Sequence, residues 1–158
     1  MDALLALLNS TPVVDGVPTD AWADDTAAEE WAREHGGGGA RAGDLRRIRD
    51  RLQAVARGAA DPSVLVDALD GVHQVPRLDH EGVTWALVGA DLPARMVLAW
   101  AAVQEAFPGR LRPCGNDECR LFLLDRSRAN RARWCSMATC GNRLKARRHH
   151  QRAQAREA

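Results

Sequence analysis

Apolar residues recur along this chain with periods that change, and the changes predict its elements. Residues 2–9 are mostly apolar and predict a short helix, whereas residues 10–23, with Pro12, Gly16 and Pro18, predict a loop. Thr26-x-x-Glu29 has the form of a capping box that opens a helix through about Glu34, with Trp31 on it. Gly36-Gly37-Gly38-Gly39 ends that helix. No Lys-Ser/Thr follows these glycines and no strand precedes them, so they predict a connector and not a phosphate loop. Leu45, Ile48, Leu52 and Val55 recur at spacings of 3, 4 and 3 and predict the clearest amphipathic helix, over 43–57. Arg46, Arg47, Arg49 and Arg51 fall on its other faces and are expected in solvent. Asp61-Pro62 supplies a cap and a first-turn proline for a helix to about Leu69. Val72, Val75 and Leu78, then Val83, Trp85 and Leu87, alternate around Asp79-His80-Glu81-Gly82, which predicts a β-hairpin. Leu92, Met96, Val97, Trp100, Val103 and Phe107 return to helical spacing over 92–107, and Pro108-Gly109 stops the helix.

That stop marks the expected boundary between a first domain, residues 1–109, and a second, residues 110–158. The second holds every cysteine of the chain, spaced Cys114-x4-Cys119-x15-Cys135-x4-Cys140. Two short-spaced pairs separated by a hairpin-sized insert suit tetrahedral zinc, for which thiolates are soft ligands. Disulfides and free buried thiols are the rival readings; in a reducing cytosol clustered cysteines more often hold metal. Pro113 to Cys119 predicts a knuckle in which Gly115 and Asn116 could take positive φ. Leu121 to Leu124 predicts a strand, Asp125 to Asn130 a turn, and Arg131 to Trp134 the returning strand. Ser136 is expected to cap a helix from about Met137 to Ala155. The whole is an α+β chain: a mainly helical N-terminal domain with a β-hairpin, then a small treble-clef-like zinc finger of knuckle, hairpin and helix. Four thiolates fill the coordination shell, so one structural Zn²⁺ per chain is expected, needed for a module this small to fold. His35, His73 and His80 lie scattered without metal spacing, and His149 and His150 fall far down the last helix.

Charge sharpens the division. Residues 1–109 carry 9 Arg and 17 Asp/Glu, a balance of −8. Residues 110–158 carry 12 Arg, 1 Lys and 4 Asp/Glu, a balance of +9, within a chain whose net charge is +1. A zinc ion with four thiolates is formally −2, which leaves the module near +7. Arg126, Arg128, Arg131 and Arg133 on the hairpin, with Arg143, Lys145, Arg147, Arg148 and Arg152 on the helix, are expected to meet phosphates. A solvated charged helix is the plain alternative. Duplex DNA is expected over RNA, because an exposed helix suits the major groove and the only aromatics, Phe122 and Trp134, are expected in the core. The opposed balances predict that the acidic domain docks on the basic module and masks it.

Cys135-Ser136-Met137-Ala138-Thr139-Cys140-Gly141-Asn142-Arg143, with Cys114-x4-Cys119 and the arginine-rich stretch Ser127 to Trp134, resembles the CGNR zinc-finger family over about residues 110–152. Leu7-Leu8-Asn9-Ser10-Thr11, followed by Asp15, Gly16 and Asp20, is a looser resemblance to the ABATE domain that usually precedes that finger. The resemblance implies a bacterial stress-induced transcription regulator with a DNA-binding finger and a sensing domain. It implies Asn9 as a ligand contact and a small-molecule ligand for the first domain. Asn142 is expected to cap or brace the zinc turn, and Arg143 could brace it or meet phosphate. A homodimer is expected of a DNA regulator, since paired half-sites raise specificity. An adaptor that docks an acidic protein partner through the zinc module is the rival reading. No paired carboxylates or nucleophile motif point to an enzyme. No stretch is long and apolar enough for a membrane span, and the apolar N-terminus lacks a basic n-region, so a cytoplasmic protein is expected.

Overall fold

The computed structural model describes residues 2–142 and 145–147. Four helices, α1 (Asp2–Leu8), α2 (Asp25–Glu34), α3 (Ala42–Ala56) and α4 (Leu92–Ala106), form the body, with a 3-10 helix at Pro62–Leu69. Three separate antiparallel ribbons complete it: β1 (Val13–Val14) with β2 (Val17–Pro18), β3 (His73–Asp79) with β4 (Gly82–Val88), and β5 (Leu111–Pro113) with β6 (Phe122–Leu124). The fold is therefore α+β, helical first and cysteine-centred last.

The core grows around α3. Its apolar stripe, Leu45, Ile48, Leu52 and Val55, is buried as the spacing predicts, and α1, α2, α4 and the 3-10 helix all pack on it. Leu4, Leu7 and Leu8 of α1 and Met96, Val97 and Val103 of α4 close the same core. Leu111 and Phe122, which flank the first cysteine pair, belong to it too. The apolar core thus runs through residue 109 without interruption.

Several local expectations change. The cap of α2 is Asp24, whose carboxylate accepts the Ala27 N–H at 2.8 Å, so Thr26 lies within the helix and caps nothing. The expected loop at 10–23 contains the β1–β2 ribbon, turned by Asp15 and Gly16 with φ of 50° and 81°. An Asp-Gly turn of this hand matches strand twist; only two residues flank it on each side, too few to show alternation. Asp61 caps the 3-10 helix through the Ser63 N–H as expected. The glycine connector serves packing: a Cβ on Gly37 would stand 2.5 Å from the Leu92 side chain, at the start of α4.

The largest departure concerns the α3 arginines. Arg49 is buried, at 4% exposure, and not solvated. Its guanidinium bonds both oxygens of Asp20 (2.7 and 2.9 Å), the Ser10 hydroxyl and Asp50. Arg46 reaches the Trp22 carbonyl and Asp25. Together they tie the loop before α2 onto α3. Burial alone would raise the Asp20 pKa, but the hydrogen bonds from Arg49 and the Trp22 N–H outweigh it and hold the carboxyl below its ordinary value.

Candidate metal centre

Two chain segments bring the four thiols together. Cys114 follows β5 directly, and its N–H bonds the Leu121 carbonyl at 2.8 Å, closing the knuckle at the base of the β5–β6 ribbon. The Cys119 N–H bonds the Asn116 carbonyl at 2.8 Å. Gly115 is needed for close approach: its N–H bonds the Arg133 carbonyl at 2.7 Å, and a Cβ there would stand 3.0 Å from that oxygen. Neither Gly115 nor Asn116 takes a positive φ. The second segment carries Cys135 and Cys140. Ser136 caps a π-helical turn, Met137–Gly141, through the Thr139 N–H, and this turn puts Cys140 back beside Cys135.

The four Sγ atoms lie within 4.8 Å of one another. Cys135 Sγ stands 3.7 Å from both Cys119 Sγ and Cys140 Sγ. A tetrahedron with metal–sulfur bonds of about 2.3 Å has edges of about 3.8 Å, whereas a disulfide bond is about 2.0 Å long. The spacing fits one zinc ion and fits no disulfide. The donor chemistry agrees. Burial, with neighbouring sulfurs, pushes the Cys119 thiol up to about 11 and the Cys135 thiol higher still. Burial works upward on Cys140 too, but the Asn116 amide (Nδ2 to Sγ 3.6 Å) and the other thiols outweigh it and lower its pKa. Such a cluster resists carrying four negative charges by itself, and a divalent cation removes the conflict. Cys114, Cys119, Cys135 and Cys140 form a single zinc site. It leaves no open position of the kind a catalytic zinc needs.

The hairpin of the module lies elsewhere than expected. β6 pairs with β5, so the ribbon flanks the first cysteine pair, and residues 131–134 form no strand. Asp125 organises the loop after β6. Its carboxylate is buried and accepts from the Ser127 N–H, the Ala132 N–H and Arg112 Nη2, each at 2.8 Å. Hydrogen bonds from Ser127 chiefly, against the burial cost, hold its pKa down to about 2. Arg112 also bonds the carbonyls of Gly109 and Ala132 and the Asn130 side chain. Arg110 bonds the carbonyls of Asp125 and Ser127. These two arginines are structural. No sequence motif marks Asp125, whose signal is only that it is an acid isolated in a basic stretch.

On this scaffold Arg126, Arg128, Arg131 and Arg133 are exposed. Arg126 approaches Asp2 at 3.4 Å, and the Arg133 guanidinium lies over the Trp134 ring at 5.2 Å. Lys145 and Arg147 are exposed beyond the π-helical turn, with Arg147 2.9 Å from Glu118. Arg143, Arg148 and Arg152, with His149, His150 and the rest of the expected helix to Ala155, lie outside the described residues. The Asn142 N–H bonds the Met137 and Thr139 carbonyls, which braces the turn through the backbone.

Asn9 has a bridging place. Its Oδ1 accepts the Phe122 N–H at 2.7 Å, and its Nδ2 donates to the Phe122 carbonyl at 3.2 Å. Both ends of the amide, expected to meet a ligand, are spent on fastening α1's C-terminal end to β6. The Arg57 guanidinium stacks over the Phe122 ring at 4.3 Å and donates to the Arg120 carbonyl at 2.8 Å. Among the described residues one exposed ion pair, Arg126–Asp2, joins an acid of residues 1–109 to a base of the module. Among the described residues, apolar packing through Leu111 and Phe122 and the side-chain-to-backbone hydrogen bonds of Asn9 and Arg57 make most of that contact. An open groove of about 810 Å³ runs along it, lined by Arg49, Arg57 and Arg120 and also by the carboxylates Asp20, Asp50 and Asp117.

Residues 110–153 match the family described as the CGNR zinc finger. The ABATE domain is not detected in the chain. No curated protein matches. No described helix is long and apolar enough to cross a membrane.

Proposed function

We propose that the zinc-centred module binds DNA and that the chain is a non-enzymatic, cytoplasmic transcription regulator. One observation carries this reading: Arg128, Arg131 and Arg133 stand exposed on a loop whose shape Asp125, Arg112 and the zinc site fix. Guanidinium groups projecting from a fixed backbone can bind phosphates bidentately and release their counterions. RNA is disfavoured by the aromatics: Phe122 is in the core, and Trp134 packs against Gly115 and Gly141, so neither offers a stacking platform. We assign residues 1–109 an ABATE-like sensing role and place its small-molecule ligand in the groove between Arg49, Arg57 and Arg120.

The test is fluorescence anisotropy of the zinc-loaded chain on a mixed-sequence duplex, from about 50 to about 200 mM salt. Affinity is expected to fall steeply across that range. Arg128→Glu and Arg131→Glu are each expected to weaken binding about tenfold and to reduce the salt slope by about 1. A zinc-loaded protein that binds no duplex contradicts the reading, and capture of an acidic protein through the same arginines would then favour the adaptor. For the groove, an anionic ligand that raises the melting temperature should lose its effect in Arg120→Glu; unchanged stabilisation would place the ligand elsewhere.

A further inference from the structure

The β3–β4 ribbon is the least explained part of the molecule. It leaves the body on a neck where Gly71 and Gly89 both take positive φ and approach so closely that a Cβ on Gly89 would stand 2.4 Å from the Gly71 oxygen. Beyond the neck all of β3 is exposed, and β4 has only Gly82 and Ala86 half-buried. A two-stranded ribbon without further cover is at best marginally stable in water.

The register makes the ribbon two-faced. Gln74, Pro76 and Leu78 stand opposite Leu87, Trp85 and Val83, so alternation places these six side chains on one face. None of them is charged. The other face is mixed: His73, Val75, Arg77 and Asp79 stand opposite Val88, Ala86, Thr84 and Gly82, and Val75 and Val88 are each 38% exposed. On the uncharged face Leu78, Trp85, Val83 and Leu87 are 81%, 62%, 61% and 45% exposed. Apolar exposure on this scale marks an interaction surface.

We propose that this face packs against the same face of a second copy of the chain. At roughly 150–250 Å² for an aromatic and somewhat less for Leu or Val, the four side chains offer roughly 400–500 Å² per copy, so two faces remove about 1,000 Å² from water. That area stands at the threshold of biological interfaces and fits a weak, reversible dimer. Because the face holds no charge, stacking two identical copies creates no like-charge contact and leaves no ion desolvated, a condition that a two-fold arrangement imposes. The inference does not rest on DNA binding, since a monomer could also bind a duplex.

Sedimentation of the full, zinc-loaded chain across the micromolar range tests it. A monomer–dimer equilibrium is expected. Leu78→Glu and Trp85→Glu should each weaken the dimer at least about tenfold, whereas Thr84→Glu, on the opposite face of the same strand, should leave it unchanged. Should the charged variants lose zinc or helix content, fluorotryptophan NMR of the unaltered chain reads the same contact. The Trp85 resonance, identified by Trp85→Phe, should then move with concentration. A chain that stays monomeric, a dimer indifferent to Leu78→Glu and Trp85→Glu, one that Thr84→Glu weakens equally, or a static Trp85 resonance overturns the proposal.

Discussion

In the helical body two arginines of α3, Arg46 and Arg49, turn to internal partners, and in the zinc module the arginines that follow Asp125 turn outward. Arg49 lies buried at the centre of a hydrogen-bonded cluster with Asp20, Asp50 and Ser10, and Arg46 closes on Asp25 and the Trp22 carbonyl. In the module Arg110 and Arg112 are used that way, and they hold the loop on which Arg126, Arg128, Arg131 and Arg133 are displayed. The sources of rigidity differ in parallel. The body is held by the apolar stripe of α3 and what packs on it, while the module relies on four thiols and one buried carboxylate. The lesson is that a residue's charge says little about its task until its partners are known: Arg49 is buried where Asp20, Asp50 and Ser10 meet it, whereas Arg47 of the same helix stays in solvent.

The contrast can be broken at graded cost. The largest effect is expected from Cys114→Ser, which removes one of four zinc ligands; apparent zinc binding in small fingers contributes about 10–16 kcal/mol, most of which is folding free energy. The Trp134 near-ultraviolet signal should collapse while the far-ultraviolet signal of α1–α4 largely persists, and coordinate loss of both would mean the two regions are not stabilised separately. Next is Arg49→Met. Breaking a buried pair costs several kcal/mol, but Asp20 remains about a third exposed and can rehydrate, so about 2–3 kcal/mol in urea unfolding is expected. A loss below about 0.5 kcal/mol, the size typical of surface changes, would return Arg49 to the solvated arginines. Asn9→Ala removes two hydrogen bonds to the Phe122 backbone and should cost about 1–3 kcal/mol with zinc affinity nearly unchanged. Full stability in that variant would show that the amide does not fasten the two regions. The smallest effect is a pH dependence. Asp20 titrates below its ordinary value, so its contribution is present above about pH 4 and is lost as pH falls through its lowered pKa. The stability gap between the unaltered chain and Asp20→Asn should therefore narrow below pH 4, and a gap independent of pH would contradict the ion pair.

Much of this was legible in residue spacing, and the exceptions share a cause. The α3 stripe, the β3–β4 ribbon and the four-cysteine cluster are local or strongly periodic patterns, and each lies where its period placed it. Arg49 with Asp20, and Asn9 with Phe122, are joined across 29 and 113 residues, and no period links them. The β5–β6 pairing carries no sequence signal, because Leu111 to Pro113 is only three residues long and precedes the first cysteine, while Arg131 to Trp134 is an equally short alternative after the turn. Asp125 bonds the Ala132 N–H seven residues on, a loop closure that no composition rule marks.

One metal ion held by four sulfurs organises the module. X-ray absorption at the zinc edge, on chain purified without added metal and quantified for zinc, measures both the ion and its shell. One zinc per chain in a four-sulfur shell at about 2.3 Å is the expected result. Substoichiometric zinc, nitrogen or oxygen in the first shell, or cysteines recovered as disulfides would contradict it.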